Sequence, residues 1–479
     1  MAAGSLKFGT SGLRGLAVEL QGQAARRYTA AFIAYLRDRS ELGCGIVYLG
    51  WDFRASSPAI AADCAAAIQA LGLTPVNCGA LPTPALADYA MAAGSAAIMI
   101  TGSHIPSDRN GLKFYTPDGE ISKADEAGIL ATLSDAEIAG TAMAVRDEHA
   151  AALARYVRRF GALVPPGALR GQQIGVFEHS TVARDILGAI LSRAGAEVVR
   201  LGRVDGFVAV DTEAFGDAVF APLKAWIASE RLDAIVSADG DGDRPLLMDG
   251  QGNFVRGDVL GLLTARYLGA DRVVTPVTSN SAIEKTGFFA KVIRTKVGSP
   301  HVIAGIQRAI AGGGAVVVGF EANGGTLLGT AASVGRGAIA ALPTRDAVLP
   351  LLSVLGLAAR QGASIADLVA GLPLQHALSD RIEQVPSAQS AGLLARLAGD
   401  QAYATAFYAP DHAIERVDAI DGLQFWTRAG EMVHFRASGN APELRCYVES
   451  SSDAGARALL AWGMDAARAA LRQEQGALS

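Results

Sequence analysis

The sequence predicts an α/β protein of several domains: three similar mixed, largely parallel α/β domains and then a smaller C-terminal α+β domain. Three observations carry this reading. Short β-rich apolar runs each stop at a small polar cluster: Ile46–Leu49 before Gly50-Trp51-Asp52, Ala96–Ile100 before Thr101-Gly102-Ser103, Ile174–Phe177 before Glu178-His179-Ser180, Ala234–Val236 before Ser237-Ala238-Asp239, Val273–Val277 before Thr278-Ser279-Asn280, and Val316–Val318 before Gly319-Phe320-Glu321. Ala- and Leu-rich helical stretches lie between them, among them Ser57–Ala70, Ala183–Ala194 and Val302–Ala311. Strands alternating with helices argue for parallel pairing, and ligands of such sheets gather at the strands' carboxyl ends, so the polar clusters are expected on one face. The rhythm weakens after Leu372-Pro373-Leu374, where the α+β part begins.

The 479 residues exceed what one core serves. A helical pattern over Glu148–Phe160 leads to the break Pro165-Pro166-Gly167, Asp249-Gly250-Gln251-Gly252-Asn253 turns a hairpin ahead of Asp258, and Leu372-Pro373-Leu374 marks the third break. The expected domains are 1–150, 151–257, 258–375 and 376–479. A formal charge of −5 gives no electrostatic reason for nucleic acid or an anionic membrane as the main partner. Cys44, Cys64, Cys78 and Cys446 lack C-x-x-C spacing, which indicates neither a zinc site nor a disulfide framework and points to a reducing cytoplasm. MAAGSLKFGTSG does not read as a signal peptide, and no apolar run reaches bilayer length.

Five stretches have the composition of chemistry. Ala96–Ile100 delivers Thr101-Gly102-Ser103-His104 at a strand end; Asn110-Gly111 is read as a second turn, and Lys113 as a cation on the returning segment. A hydroxyl beside an imidazole and a cation suits covalent phosphate or acyl chemistry, although a Ser-His pair in a turn also reads as a solvated loop. Gly9–Gly15, GTSGLRG, is either a flexible turn or an oxyanion cradle to which Arg14 adds a fork of donors. In Asp239-Gly240-Asp241-Gly242-Asp243-Arg244, three carboxylates at alternate positions converge on a hard cation such as Mg2+, the alternative being an exposed acidic turn. Glu321-Ala322-Asn323-Gly324-Gly325 has the acceptor and donor character to hold sugar hydroxyls, and reads equally as an ordinary turn. Arg436-Ala437-Ser438-Gly439-Asn440-Ala441-Pro442-Glu443-Leu444-Arg445 sets two guanidinium groups around a Ser-Gly-Asn turn, a pocket for a phosphate dianion.

In this order the four loops Thr101–Lys113, Asp239–Arg244, Glu321–Gly325 and Arg436–Arg445 resemble those of the α-D-phosphohexomutase family, over nearly the whole chain. The resemblance implies four domains around a central cleft that carry, in turn, the phosphoserine, metal, sugar and phosphate loops. It implies that Ser103 is phosphorylated in the active enzyme, that Mg2+ sits between that phosphate and Asp239, Asp241 and Asp243, and that Lys113, Arg14 and His104 assist proton transfer and balance charge. Arg244 then approaches the transferring phosphoryl group, and Glu321 and Asn323 grip the sugar. His301 lies in the loop that reads sugar orientation, and Arg436, Ser438, Asn440 and Arg445 hold the distal phosphate. The implied activity interconverts hexose 6-phosphate and hexose 1-phosphate, mannose phosphate ahead of glucose phosphate, through a bound hexose 1,6-bisphosphate. The partner is then a small-molecule sugar phosphate, and the pathway is nucleotide-sugar or polysaccharide supply. The first loop reads TGSHIP where many members have TASHNP, which leaves Ser and His in place, and Asn440-Ala441 stands where Thr-Glu is common.

Two other readings compete. A strand followed by D-x-D also opens haloacid-dehalogenase-like phosphatases, with Asp239 or Asp241 as an aspartyl nucleophile, although Asp243 stands where that motif prefers Thr or Val. A non-catalytic sugar-phosphate sensor would keep the cleft and bind without turnover.

Overall fold

The structure is a computed structural model that describes residues 5–9, 12–141, 143–213, 218–335, 337–408, 413–439 and 442–477. The chain divides into two compact units: Met1–Thr275 with Phe288–Ile293 and Gly298–Gly371, and Pro276–Gly287 with Arg294–Val297 and Leu372–Ser479.

The first unit is built on parallel strands, of which central ones such as Ala96–Ile100 and Ala234–Ala238 are buried on both faces, and for that reason their sequences are continuous apolar runs rather than alternating ones. Ala96–Ile100, buried throughout, pairs in parallel with Ile46–Trp51, which pairs in parallel with Thr74–Ala80. On the other side Arg109–Thr116 and Leu13–Leu16 add antiparallel strands. A second sheet orders Glu197–Leu201, Gln173–Phe177, Ala234–Ala238 and Pro245–Asp249, the first three parallel and the last antiparallel. A third orders Lys291–Thr295, Arg272–Pro276, Val317–Phe320, Thr326–Leu328 and Leu342–Asp346. Helices fall between the strands as the patterning requires; Ser57–Ala70 has the expected bounds, with Pro58 in the first turn, where its missing N–H costs nothing.

The helix Gln23–Asp38 follows a separate turn Ala17–Leu20, because Gly22 adopts φ 74° and its N–H donates to Asp63 Oδ2 at 2.7 Å. One local expectation is corrected. Asn110-Gly111 is not a turn but part of the strand Arg109–Thr116. Gly111 allows the neighbouring strands to close in, since a Cβ there would sit 2.4 Å from the Leu13 carbonyl oxygen and 2.8 Å from that of Thr101. The buried Asn110 amide donates to the Ser56 and Ser57 hydroxyls at 2.8 and 3.0 Å.

The second unit contains a five-stranded antiparallel sheet in the order His376–Glu383, Glu443–Ser450, Met432–Ala437, Leu423–Thr427, Ile414–Asp418. Period-two alternation sends Leu423, Phe425, Val433, Phe435, Leu444, Cys446 and Val448 into one core with Leu393, Leu459 and Met464 of the helices Ser387–Gly399 and Asp453–Ala477. Gln424, His434, Arg436, Arg445 and Glu449 occupy the alternate positions. No helix among the described residues is long and apolar enough to cross a membrane.

His434 makes this unit sensitive to acid. Its ring is fully buried and stacks at 5.4 Å on Tyr447, with Nε2 2.6 Å from the Asp421 carbonyl oxygen. Burial pushes its pKa down to about 4 from an ordinary value of 6.5. Between those values the unfolded chain takes a proton that the folded one refuses, so stability falls as pH drops from 6.5 to 4, by on the order of 3 kcal/mol from this group. Below 4 both states are protonated and this loss stops growing. Melting temperature is expected to fall more steeply over that interval in the native chain than in His434→Gln.

Candidate active site

Strand ends of the first unit bring the Ser103 loop and the acidic loop together. Ser103 follows the buried strand Ala96–Ile100, and Asp239 follows Ala234–Ala238. Ser103 Oγ donates to Asp239 Oδ2 at 2.6 Å and lies 3.2 Å from His104 Nδ1. Ser103 itself holds φ 54°, a left-handed conformation that costs a residue with a Cβ about 1 kcal/mol and persists only where the surroundings impose it.

Asp239, Asp241 and Asp243 are all buried, with carboxylate oxygens within 4.8 Å of one another. Asp239 Oδ1 accepts the backbone N–H groups of Asp243 and Arg244, both at 3.1 Å. Lys113 Nζ donates to Asp241 Oδ2 and Asp243 Oδ2, both at 2.6 Å, and Thr83 Oγ1 donates to Asp241 Oδ2, also at 2.6 Å. Arg345 completes the shell, with Nη2 2.8 Å from Asp243 Oδ2 and Nη1 3.0 Å from Glu321 Oε2. Among the described residues, no hydrogen-bond donor reaches the buried Asp241 Oδ1 and Asp243 Oδ1. A donor set made only of oxygens, two of them orphaned, fits a hard divalent cation.

The electrostatics are those of crowded charge. Burial, then Asp241 and Asp243, push the Asp239 carboxyl well above the usual range. Burial pushes Asp243 up as well, but Arg345, Lys113 and Arg244 outweigh it and hold its carboxyl well below. Arg244, burial and Arg14 push His104 down to about 2, so its imidazole is neutral and serves as a hydrogen-bonding partner of Ser103. Burial, then Arg244 and Arg345, lower Arg14 to about 10, and its guanidinium has no hydrogen bond among the described residues. Arg244 lies 4.0 Å from Asp243 Oδ1 and 3.7 Å from Glu213.

Glu321 and Asn323 form a tight turn after Val317–Phe320. Asn323 Oδ1 accepts the Gly325 N–H at 3.0 Å, and Gly325 has no Cβ because one would lie 2.8 Å from Arg345 Cδ. Arg345 occupies one Glu321 oxygen, and Oε1 has no hydrogen bond among the described residues. His301 stands in the first turn of the helix Ser299–Ala311, where it is Ser299 Oγ that donates to Glu120 Oε1, at 2.8 Å. The cluster Glu178-His179-Ser180 does not join the triad: Glu178 pairs with Arg200 at 2.8 Å and Arg203 at 3.4 Å.

In the second unit Arg436 and Arg445 stand directly opposite each other on paired strands, with Arg381 opposite Arg445 on the next. Facing like charges are unfavourable, and Asp421 on Arg436 at 2.6 Å and Glu443 on Arg445 at 3.1 Å offset them. The Ser438 N–H donates to the Glu443 carbonyl at 3.0 Å, and Asn440 lies outside the described residues.

Sequence reasoning passed over Thr83, Arg345 and Arg54. Thr83 sits in Pro-Thr-Pro and gave no signal. Arg345 did give one, a Thr-Arg-Asp break between apolar stretches, and Arg54 follows the strand-end Asp52 by two residues.

Fold and site together define a multidomain α/β enzyme of the sugar-phosphate mutase class. Residues 5–138 match the family model of phosphoglucomutase/phosphomannomutase alpha/beta/alpha domain I, and residues 256–375 that of domain III. A phosphomannomutase of Sinorhizobium fredii is 47% identical over 464 residues, 96% of this chain and 98% of its own, and a phosphomannomutase of Salmonella muenchen is 41% identical, covering 93% and 92%. The chain belongs to the phosphoglucomutase/phosphomannomutase family, the α-D-phosphohexomutases, as the four loops implied. Among solved structures, a phosphoglucomutase/phosphomannomutase family protein from Burkholderia thailandensis shares the fold with TM-score 0.74 at 22% identity, over 97% of both chains. An Aspergillus fumigatus N-acetylphosphoglucosamine mutase, solved with GlcNAc-6P and magnesium, shares it with TM-score 0.58 at 15% identity, covering 97% and 96%.

Proposed function

We propose that this chain is a hexose-phosphate mutase that interconverts the 6-phosphate and the 1-phosphate through phosphoserine at Ser103, with mannose phosphate the favoured substrate and glucose phosphate the next. The observation that carries it is the Ser103 hydroxyl 2.6 Å from Asp239 inside a buried acidic triad. The aspartyl-nucleophile alternative is weaker at Asp239, because both of its oxygens are engaged, by Ser103 and by two backbone amides.

In this reading Ser103 passes its phosphoryl group to the free hydroxyl of the sugar monophosphate, giving a bound 1,6-bisphosphate, and after reorientation of that intermediate takes back the other phosphate. Asp239, Asp241 and Asp243 would hold Mg2+, which when bound neutralises charge that develops on the phosphoryl oxygens. Arg14, whose guanidinium has no hydrogen bond among the described residues, and Arg244 face the transferring group. Lys113 donates to Asp241 and Asp243 and helps to hold Asp243 ionised, and His104 orients the Ser103 hydroxyl. Glu321 Oε1 and Asn323 hold sugar hydroxyls, and His301 reads sugar orientation. Arg436, Ser438, Asn440 and Arg445 hold the phosphate that is not reacting. The four-domain division at 150, 257 and 375 and a cytoplasmic location belong to the same reading.

Isomerisation of mannose 1-phosphate and of glucose 1-phosphate, each primed with a trace of its bisphosphate, tests it. Turnover of mannose phosphate at the higher kcat/KM is expected; equal values mean dual specificity, and turnover of neither ends the proposal. Mg2+ at 100 times its dissociation constant is expected to stabilise the chain by about 2.7 kcal/mol, read as a rise in melting temperature that Asp241→Asn removes.

A further inference from the structure

Residues 103–108 link two paired strands, so their carbonyls lie outside the ladder, and buried carbonyls require partners. A single side chain serves three of these and the carbonyl of Arg109, the first residue of the next strand. Arg54 is 1% exposed. Its Nη2 donates to the carbonyl oxygens of Ser103 at 2.9 Å and Ile105 at 2.6 Å, and its Nη1 to those of Pro106 at 2.6 Å and Arg109 at 3.1 Å. Its Nε donates to Asp52 Oδ2 at 3.1 Å. That oxygen also accepts Thr101 Oγ1 at 2.8 Å, and Asp52 Oδ1 accepts Ser57 Oγ at 2.7 Å. The Phe207 ring covers the guanidinium at 3.9 Å, and Gly102 lies so close that a Cβ there would be 2.7 Å from Arg54 Cζ.

We propose that Arg54 is a positioning residue for Ser103: its planar fork gathers the carbonyls of residues 103, 105, 106 and 109 and imposes the left-handed conformation in which the Ser103 oxygen meets Asp239. The inference rests on the assignment of Ser103 as the phosphate carrier. In each half-reaction the loop exchanges a neutral hydroxyl for a dianion, and a loop tied by one rigid fork keeps the oxygen in place through both. A lysine keeps the charge beside Asp52 but, as a point donor, cannot span four carbonyls. Arg54 touches no substrate in this arrangement, so its loss acts on kcat rather than KM, and misplacement of a reacting atom by about 1 Å costs on the order of 100-fold.

The experiment compares Arg54→Lys and Arg54→Ala in the full chain, with mannose 1-phosphate and a trace of mannose 1,6-bisphosphate, and with near-UV circular dichroism as a record of folding. Arg54→Lys is expected to lose about 100-fold in kcat with KM within about threefold of the native value. Arg54→Ala is expected to lose more and to recover at least about tenfold in millimolar guanidinium, but not in equal methylammonium. Native kcat in Arg54→Lys, a rise in KM that accounts for the loss, or equal response to the two cations would overturn the proposal. Should Arg54→Ala not fold, Arg54→Lys decides. The intact mass of the native protein separates the two claims: a protein without phosphate on Ser103 ends the carrier assignment, whereas a phosphorylated native protein with an unimpaired Arg54→Lys ends only the role of Arg54.

Discussion

Ser103→Ala is expected to lower turnover by a factor on the order of 10^4 to 10^6, the loss typical of deleting a covalent nucleophile. The neighbouring hydroxyls are committed elsewhere, since Thr101 Oγ1 donates to Asp52 at 2.8 Å and Thr83 Oγ1 to Asp241 at 2.6 Å. Folding should survive. The substitution removes a hydrogen bond to Asp239, a loss of about 1–3 kcal/mol, and leaves the loop's carbonyls on Arg54. A coupled assay of mannose 1-phosphate isomerisation, run beside a thermal melt, separates the two effects. Turnover within tenfold of native in a folded Ser103→Ala would show that the phosphoryl group travels by another residue.

Arg345→Met should be the most damaging single change to the stability of the first unit. The guanidinium is 3% exposed and donates to two buried carboxylates from different loops, Asp243 and Glu321. Burial pushes the Arg345 pKa down, but Asp243, Glu120 and Glu321 outweigh it and raise the pKa well above the ordinary value, so the positive charge is permanent. Methionine fills similar volume and leaves both carboxylates less compensated, which for a buried ion pair costs about 3–5 kcal/mol. Asp243 would keep Lys113, whereas Glu321 would keep no side-chain partner among the described residues. Denaturation of Arg345→Met, Glu321→Gln and the double variant reads the coupling: the double variant should be more stable than the sum of the single losses predicts. Strict additivity would contradict the pairing.

The parts of this molecule that the sequence discloses are those set by local rules. Parallel strands such as Ala96–Ile100 and Ala234–Ala238 are apolar on both faces and end at polar residues, so the strand, its end and the side chains offered there are all legible. Ser103, Asp239, Asp241 and Asp243, which the fold brings together, are legible in this way. What long-range packing decides was not legible. Asn110-Gly111 has turn chemistry, yet the strands Leu13–Leu16 and Ala96–Ile100 draw it into the sheet because Gly111 admits their carbonyls. Lys113 was read as a partner of Ser103, whereas alternation along its strand and the approach of the acidic loop give it to Asp241 and Asp243. Arg345 and Arg54 act through partners 24 to 102 and 49 to 55 residues away, apart from Asp52 beside Arg54, and no local pattern encodes such separations.

Tandem mass spectrometry of the native protein after incubation with mannose 1,6-bisphosphate tests the central claim most directly. One phosphate is expected, on Ser103, stable to acid and labile to alkali. An acyl phosphate on Asp239 or Asp241, or an active protein that never carries phosphate, would contradict it.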